Sequence, residues 1–93
     1  MRRASALRRQ TSGTGSKPVS NIIGERLREA RQGQELTIQA LNERVEIQSG
    51  FALGQPTLTR IEQGVRSVYD FEVVALSLAL KVDAAWLLGL SER

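Results

Sequence analysis

Apolar residues in this chain recur only in short bursts at helical spacing, and each of the first three bursts is closed by a glycine. Ile23, Leu27 and Ala30 fall at i, i+4 and i+7 before Gly33. Ile38, Leu41 and Val45 fall at i, i+3 and i+7 before Ser49-Gly50, and Leu58 and Ile61 are confined between Pro56 and Gly64. Val73, Leu76 and Leu80 form a fourth burst, and Trp86 and Leu87 anchor a fifth. Each stretch turns one apolar face to a neighbour and is too short to be stable alone. No stretch has the period-two alternation of a strand. The pattern therefore predicts an all-α domain of five short helices around one shared core.

The punctuation supports the same division. Ser20 or Asn21 is placed to cap the first helix, which runs to about Gln32, and Thr37 to cap the second. The end of the second helix is ambiguous, since Glu46-Ile47-Gln48 extends it equally well. Phe51 to Gly54 reads as a connection with apolar anchors at Phe51 and Leu53. Proline at the start of the third helix removes an amide that would lack an intrahelical acceptor anyway. Asp70 is the expected cap of the fourth helix, and the fifth spans 84–88.

Charge splits the chain in two. Arg2, Arg3, Arg8, Arg9 and Lys17 precede Asn21 without a single acid; all ten acids and the other eight bases follow it. The expectation is a disordered basic arm over 1–19 and one helical domain over 20–93. Such an arm either follows a phosphate backbone or is a solvated tail. It lacks the apolar stretch of a signal peptide and the amphipathic face of a transit peptide.

Ninety-three residues suffice for one modest core. Cysteine and histidine are both absent, which removes disulfides, thiol catalysis, the usual zinc sites and histidine acid–base chemistry. Gly13-Thr-Gly15 is too short for a phosphate loop, and Glu25/Glu29 have ordinary surface spacing on a helix. We expect no catalytic residue, no metal, no cofactor and no small-molecule effector, hence not an enzyme. No apolar run reaches the ~18 residues a membrane helix requires, so no membrane role is expected.

Two short helices, 37–48 and 56–63, joined by a glycine-containing turn have the layout of a helix-turn-helix unit, whose second helix enters the major groove of DNA. The outer face of 56–63 offers Thr57, Thr59, Arg60 and Gln63, side chains able to bond base edges or phosphates. A solvated surface helix displays the same polarity, so composition leaves both readings open.

Four stretches narrow the choice: Ile-Gly-Glu-Arg-Leu-Arg-Glu-Ala-Arg at 23–31, Leu-Thr-Ile-Gln-Ala-Leu at 36–41, Thr-Leu-Thr-Arg-Ile-Glu-Gln-Gly at 57–64 and Leu-Lys-Val-Asp-Ala-Ala-Trp-Leu-Leu-Gly at 80–89. In this order they resemble the DNA-binding domain of the Cro and lambda-repressor family. The resemblance covers nearly all of the chain after the arm. It implies a five-helix fold and a homodimer bound to double-stranded DNA, acting as a transcriptional regulator in the cytoplasm of a bacterium or encoded by a phage. It further implies base contacts from Gln55, Thr59 and Arg60, and phosphate contacts from Thr37, Gln39, Thr57, Gln63, Val65 and Arg66. Glu62 stands where the family commonly has an acid paired with an arginine of helix one, here Arg31. Two features depart from the family's pattern. Residues 46–54 make an expanded turn, and Ile38 replaces a frequent glutamine, leaving Thr37 or Gln39 to meet that phosphate. The competing expectation is a protein-interaction or antitoxin-like module that kept the fold with weak or no DNA binding.

The fourth helix carries a second apolar stripe, Phe71, Val74, Ala75 and Leu78, beyond the one its core contact needs. Either Phe71 packs under the long turn near Phe51, or Phe71, Val74 and Leu78 form a self-association surface.

Overall fold

A computed structural model describes residues 19–92. Its elements are α1 (Gly24–Gly33), α2 (Ile38–Ser49), α3 (Gln55–Glu62), α4 (Asp70–Leu80) and α5 (Ala84–Leu87), with no strand among the described residues. The basic arm, with Arg2, Arg3, Arg8, Arg9 and Lys17, lies outside the described residues apart from Val19.

The stripes read from spacing meet in one core. Leu27, Leu41, Val45, Leu58, Ile61, Leu76, Leu80 and Leu87 are fully buried, and Ile23, Ala30 and Trp86 nearly so. Phe51 and Leu53 pack against this cluster from the turn between α2 and α3. α2 and α4 run antiparallel: Phe71 at the start of α4 meets Phe51 just past the end of α2, and Arg44 of α2 reaches the carbonyl of Ala79 near the end of α4.

Helix ends are where sequence and structure differ. α1 begins at Gly24, later than the Ser20 or Asn21 cap suggested, yet Asn21 still serves it: its Oδ1 accepts the N–H groups of Ile23 and Gly24 at 3.0 and 2.9 Å. Its Nδ2 donates to the carbonyls of Ile61 and Arg66, stitching the start of α1 to the end of α3. That approach is close enough to require glycine at 24, where a Cβ would lie 2.5 Å from the Ile61 carbonyl oxygen. Thr37 caps α2 by accepting the N–H of Ala40 at 3.0 Å.

α2 runs on through Glu46, Ile47 and Gln48 to Ser49, so the expanded turn of 46–54 shrinks to 50–54. Nothing in 46–49 breaks a helix, and Gly50 is the first residue to take the left-handed conformation, at φ 85°. Asp70 is not the cap of α4 but its first helical residue; Tyr69 holds the cap position, and Glu72 accepts the Tyr69 N–H at 3.0 Å. The last helix ends at Leu87 rather than 88 and is capped by Asp83, whose Oδ1 accepts the Ala85 N–H at 3.1 Å.

Candidate nucleic-acid interface

α3 owes its orientation to the five residues before it. Gly54 takes φ 92°, and its N–H donates to Asn42 Oδ1 in α2 at 2.8 Å, tying the last turn residue to the preceding helix. Leu58 and Ile61 then plug α3 into the core, leaving the opposite side in solvent. Gln55, Thr59 and Gln63 lie in line at i, i+4 and i+8 along that side, with Arg60 next to them; all four are exposed, and Thr57 is half-buried. No side chain of these five has a hydrogen-bond or ion-pair partner among the described residues. They form a row of unpartnered donors and acceptors on a rigid element.

The acid on the same helix is turned the other way. Glu62 is buried, and Arg31 of α1 meets it with two parallel bonds, Nε to Oε2 at 2.6 Å and Nη2 to Oε1 at 3.1 Å. Arg28 adds a second cation at 3.5 Å, and Arg31 also donates to the Leu36 carbonyl at 2.7 Å. The hydrogen bond to Glu62 raises the Arg31 guanidinium above its ordinary pKa, against the opposing effect of burial. The negative charge on α3 is therefore neutralised from inside, and Arg60 is the charge its outer face presents.

Arg66, the loop residue expected to meet a phosphate, has a partner within the fold. It is half-buried and grips Glu72 with two bonds, Nη1 to Oε1 at 2.7 Å and Nη2 to Oε2 at 3.2 Å. Burial pushes the Glu72 carboxyl up, but the bonds from Arg66 and from the Tyr69 N–H outweigh it and hold the group below its usual range. Arg66 thus closes the loop between α3 and α4 and is not a free cation. Val65 is exposed, and its N–H is already bonded to the Arg60 carbonyl at 3.0 Å. Thr37 and Gln39 stand exposed at the start of α2, where Gln39 Nε2 donates to Glu43 at 3.5 Å.

Two features near α3 had no clear signal in the sequence. The side chain of Asn42 sits mid-helix, and only the turn twelve residues later explains it. The entry of the chain is the second: the Ser20 N–H donates to the Gly64 carbonyl at 2.7 Å, so whatever precedes Val19 leaves from beside the C-terminal end of α3. Phe71, Val74 and Leu78 are all exposed on α4, although Phe71 does touch Phe51 with ring centroids 5.8 Å apart. Among the described residues no group of three or more carboxylates is placed to hold a metal ion, and no helix is long and apolar enough to cross a membrane. No protein-family model, curated protein or solved structure matches the chain.

Proposed function

We propose that this chain is a sequence-specific double-stranded DNA-binding regulator of the Cro and lambda-repressor type, acting as a homodimer and not as an enzyme. The observation that carries the reading is the polarity of α3: four exposed polar side chains on its outer side without a partner among the described residues, and its one acid neutralised within. α3 enters the major groove, with Gln55 and Arg60 reading base edges by paired hydrogen bonds and Thr59 by a single one. The exposed start of α2 faces a phosphate through Thr37, whose hydroxyl accepts from Ala40 and keeps its proton to donate, and through Gln39. The Gln63 and Thr57 side chains supply further phosphate contacts.

The place where the chain enters supports a part for the arm. Because Ser20 is fastened to Gly64, the segment that carries the five cations joins the domain beside the C-terminal end of the proposed reading helix.

The test is Arg60→Ala against a site selected from genomic DNA. Arg60 is exposed and its side chain has no partner among the described residues, so the variant melts like the parent. A base contact of this kind is worth about 1–3 kcal/mol, so affinity for the selected site falls about tenfold or more. Undiminished binding would remove Arg60 from the reading face. An interaction or antitoxin-like module is the second reading, favoured by the exposed apolar residues of α4. It predicts that binding to duplex DNA is absent or insensitive to salt, where the first predicts a steep decline with salt.

A further inference from the structure

Capping a helix needs only an acceptor, and Ser, Thr, Asp or Asn supplies one. Asn21 does more than cap. Its Oδ1 accepts the N–H groups of Ile23 and Gly24, while its Nδ2 donates to the Ile61 carbonyl at 3.0 Å and to the Arg66 carbonyl at 2.9 Å. All four hydrogen-bonding positions of the amide are filled, and among side chains only a carboxamide carries two donors beside two acceptors. The two carbonyls lie on either side of Gly64, whose own carbonyl accepts the Ser20 N–H at 2.7 Å. Ser20 and Asn21 thus engage three carbonyls from the last turn of α3 and the loop beyond it. The start of α1 closes on the same place, because Gly24 has no Cβ to strike the Ile61 and Glu62 carbonyl oxygens.

We propose that Asn21 is a positioning residue for the outer face of α3, holding its C-terminal half as the Asn42–Gly54 bond holds its start. The role rests on the DNA-binding reading of that face. With eight residues α3 is too short to be stable alone, so its end is held from outside. Ile61 follows Arg60 directly and lies six residues, about 9 Å along the helix, from Gln55. A clamp on the Ile61 carbonyl therefore governs Arg60 and Thr59 far more than Gln55. The second bond, to the Arg66 carbonyl, extends the clamp into the loop and leaves Gln63 between two fixed points. The cap alone would be served by aspartate or serine; the donors toward α3 are what call for asparagine. Asn21 acts through α3 and reads nothing itself.

Two variants of the full chain separate the cap from the clamp. Asn21→Asp keeps both acceptors and loses both donors, and Asn21→Ser caps with an uncharged hydroxyl too short to reach either carbonyl. In hydrogen exchange without DNA, the Gly64 and Val65 amides, bonded to the Ile61 and Arg60 carbonyls, should lose at least about tenfold more protection than the Leu27 amide of α1. On a site selected from genomic DNA, preference at the base pair that Arg60→Ala identifies should fall about tenfold. Preference at the base pair that Gln55→Ala identifies should change less than about twofold. Equal loss of protection at all three amides would reduce Asn21 to a cap. Selective loss with both preferences intact, or with both lowered alike, would overturn the positioning role. Should Asn21→Asp unfold, the serine variant decides by the same two measurements. A parent chain that selects no site would sink the DNA reading itself; a parent that selects one, with both variants discriminating like it, would sink only the role of Asn21.

Discussion

Glu62 shows how one side chain separates a structural from a reading role. It sits on the helix proposed to enter the groove, where a free carboxylate would repel phosphate. Instead, it is 7 % exposed and held by Arg31 through two bonds, with Arg28 nearby. Removing one member of a buried pair strands the other charge, so Glu62→Ala should destabilise the domain by about 3 kcal/mol. Sequence preference should change little, because the carboxylate points to α1 and not outward. Thermal melting and site selection on the same variant check both halves. Unchanged melting with altered preference would show that the residue reads bases. Arg66 makes the complementary point: bound to Glu72 on both Nη atoms, it serves the α3–α4 loop, so the proposed reading assigns phosphate contact on that side to Gln63.

At the scale of the element, the turn from α2 to α3 decides how the outer face of α3 is presented. Gly54 can sit at φ 92° only because it lacks a side chain, and Asn42 captures its N–H from about two turns before the end of α2. Phe51 fastens the same turn to α4 through Phe71. Asn42→Ala should cost about 1 kcal/mol, the worth of an ordinary hydrogen bond, as read by denaturant midpoint. Affinity for a selected DNA site should fall further than that loss of stability explains, since the turn no longer fixes the angle of α3. A variant with lowered stability and full affinity would show that Phe51 and Leu53 set the angle without Asn42. The core stripes of Leu27, Leu41, Leu58 and Leu76 were legible because helical period is a local property of the sequence. The end of α2, the Asp70 cap and the Asn42 bond were not, because each depends on which of several permissive residues finds a partner elsewhere in the chain. The outer row of α3 was legible as residue types; that Arg60 is free and Arg66 engaged follows only from where Glu62 and Glu72 lie.

For the whole molecule, charge is divided between a basic leading segment and a domain with more acids than bases. A compact body measuring 36 × 26 × 24 Å with that balance has little long-range attraction for a polyanion. On the proposed DNA-binding reading, long-range attraction comes mainly from the five cations before Asn21, whose segment joins the domain at the end of α3 through the Ser20–Gly64 bond. Eighteen residues span at most about 60 Å when extended, enough to follow a DNA backbone past the groove that α3 is proposed to enter. Val19 and Ser20 belong to the fold, Val19 by packing on Gly64, so the informative deletion stops at residue 18. Without residues 1–18 the melting temperature should be nearly unchanged, since the core and every helix cap described here remain. Each phosphate neutralised contributes about 0.9 to the slope of log affinity against log salt, so the deletion should flatten that slope by up to about 4.5. Preference among sites should survive, because contacts to phosphate carry no sequence information directly. Titrations of both forms across a range of salt, on a selected site and on unrelated duplex, separate the outcomes. Equal slopes would reduce the arm to a passive tail, and a loss of preference would mean that the arm, and not only α3, reads the DNA.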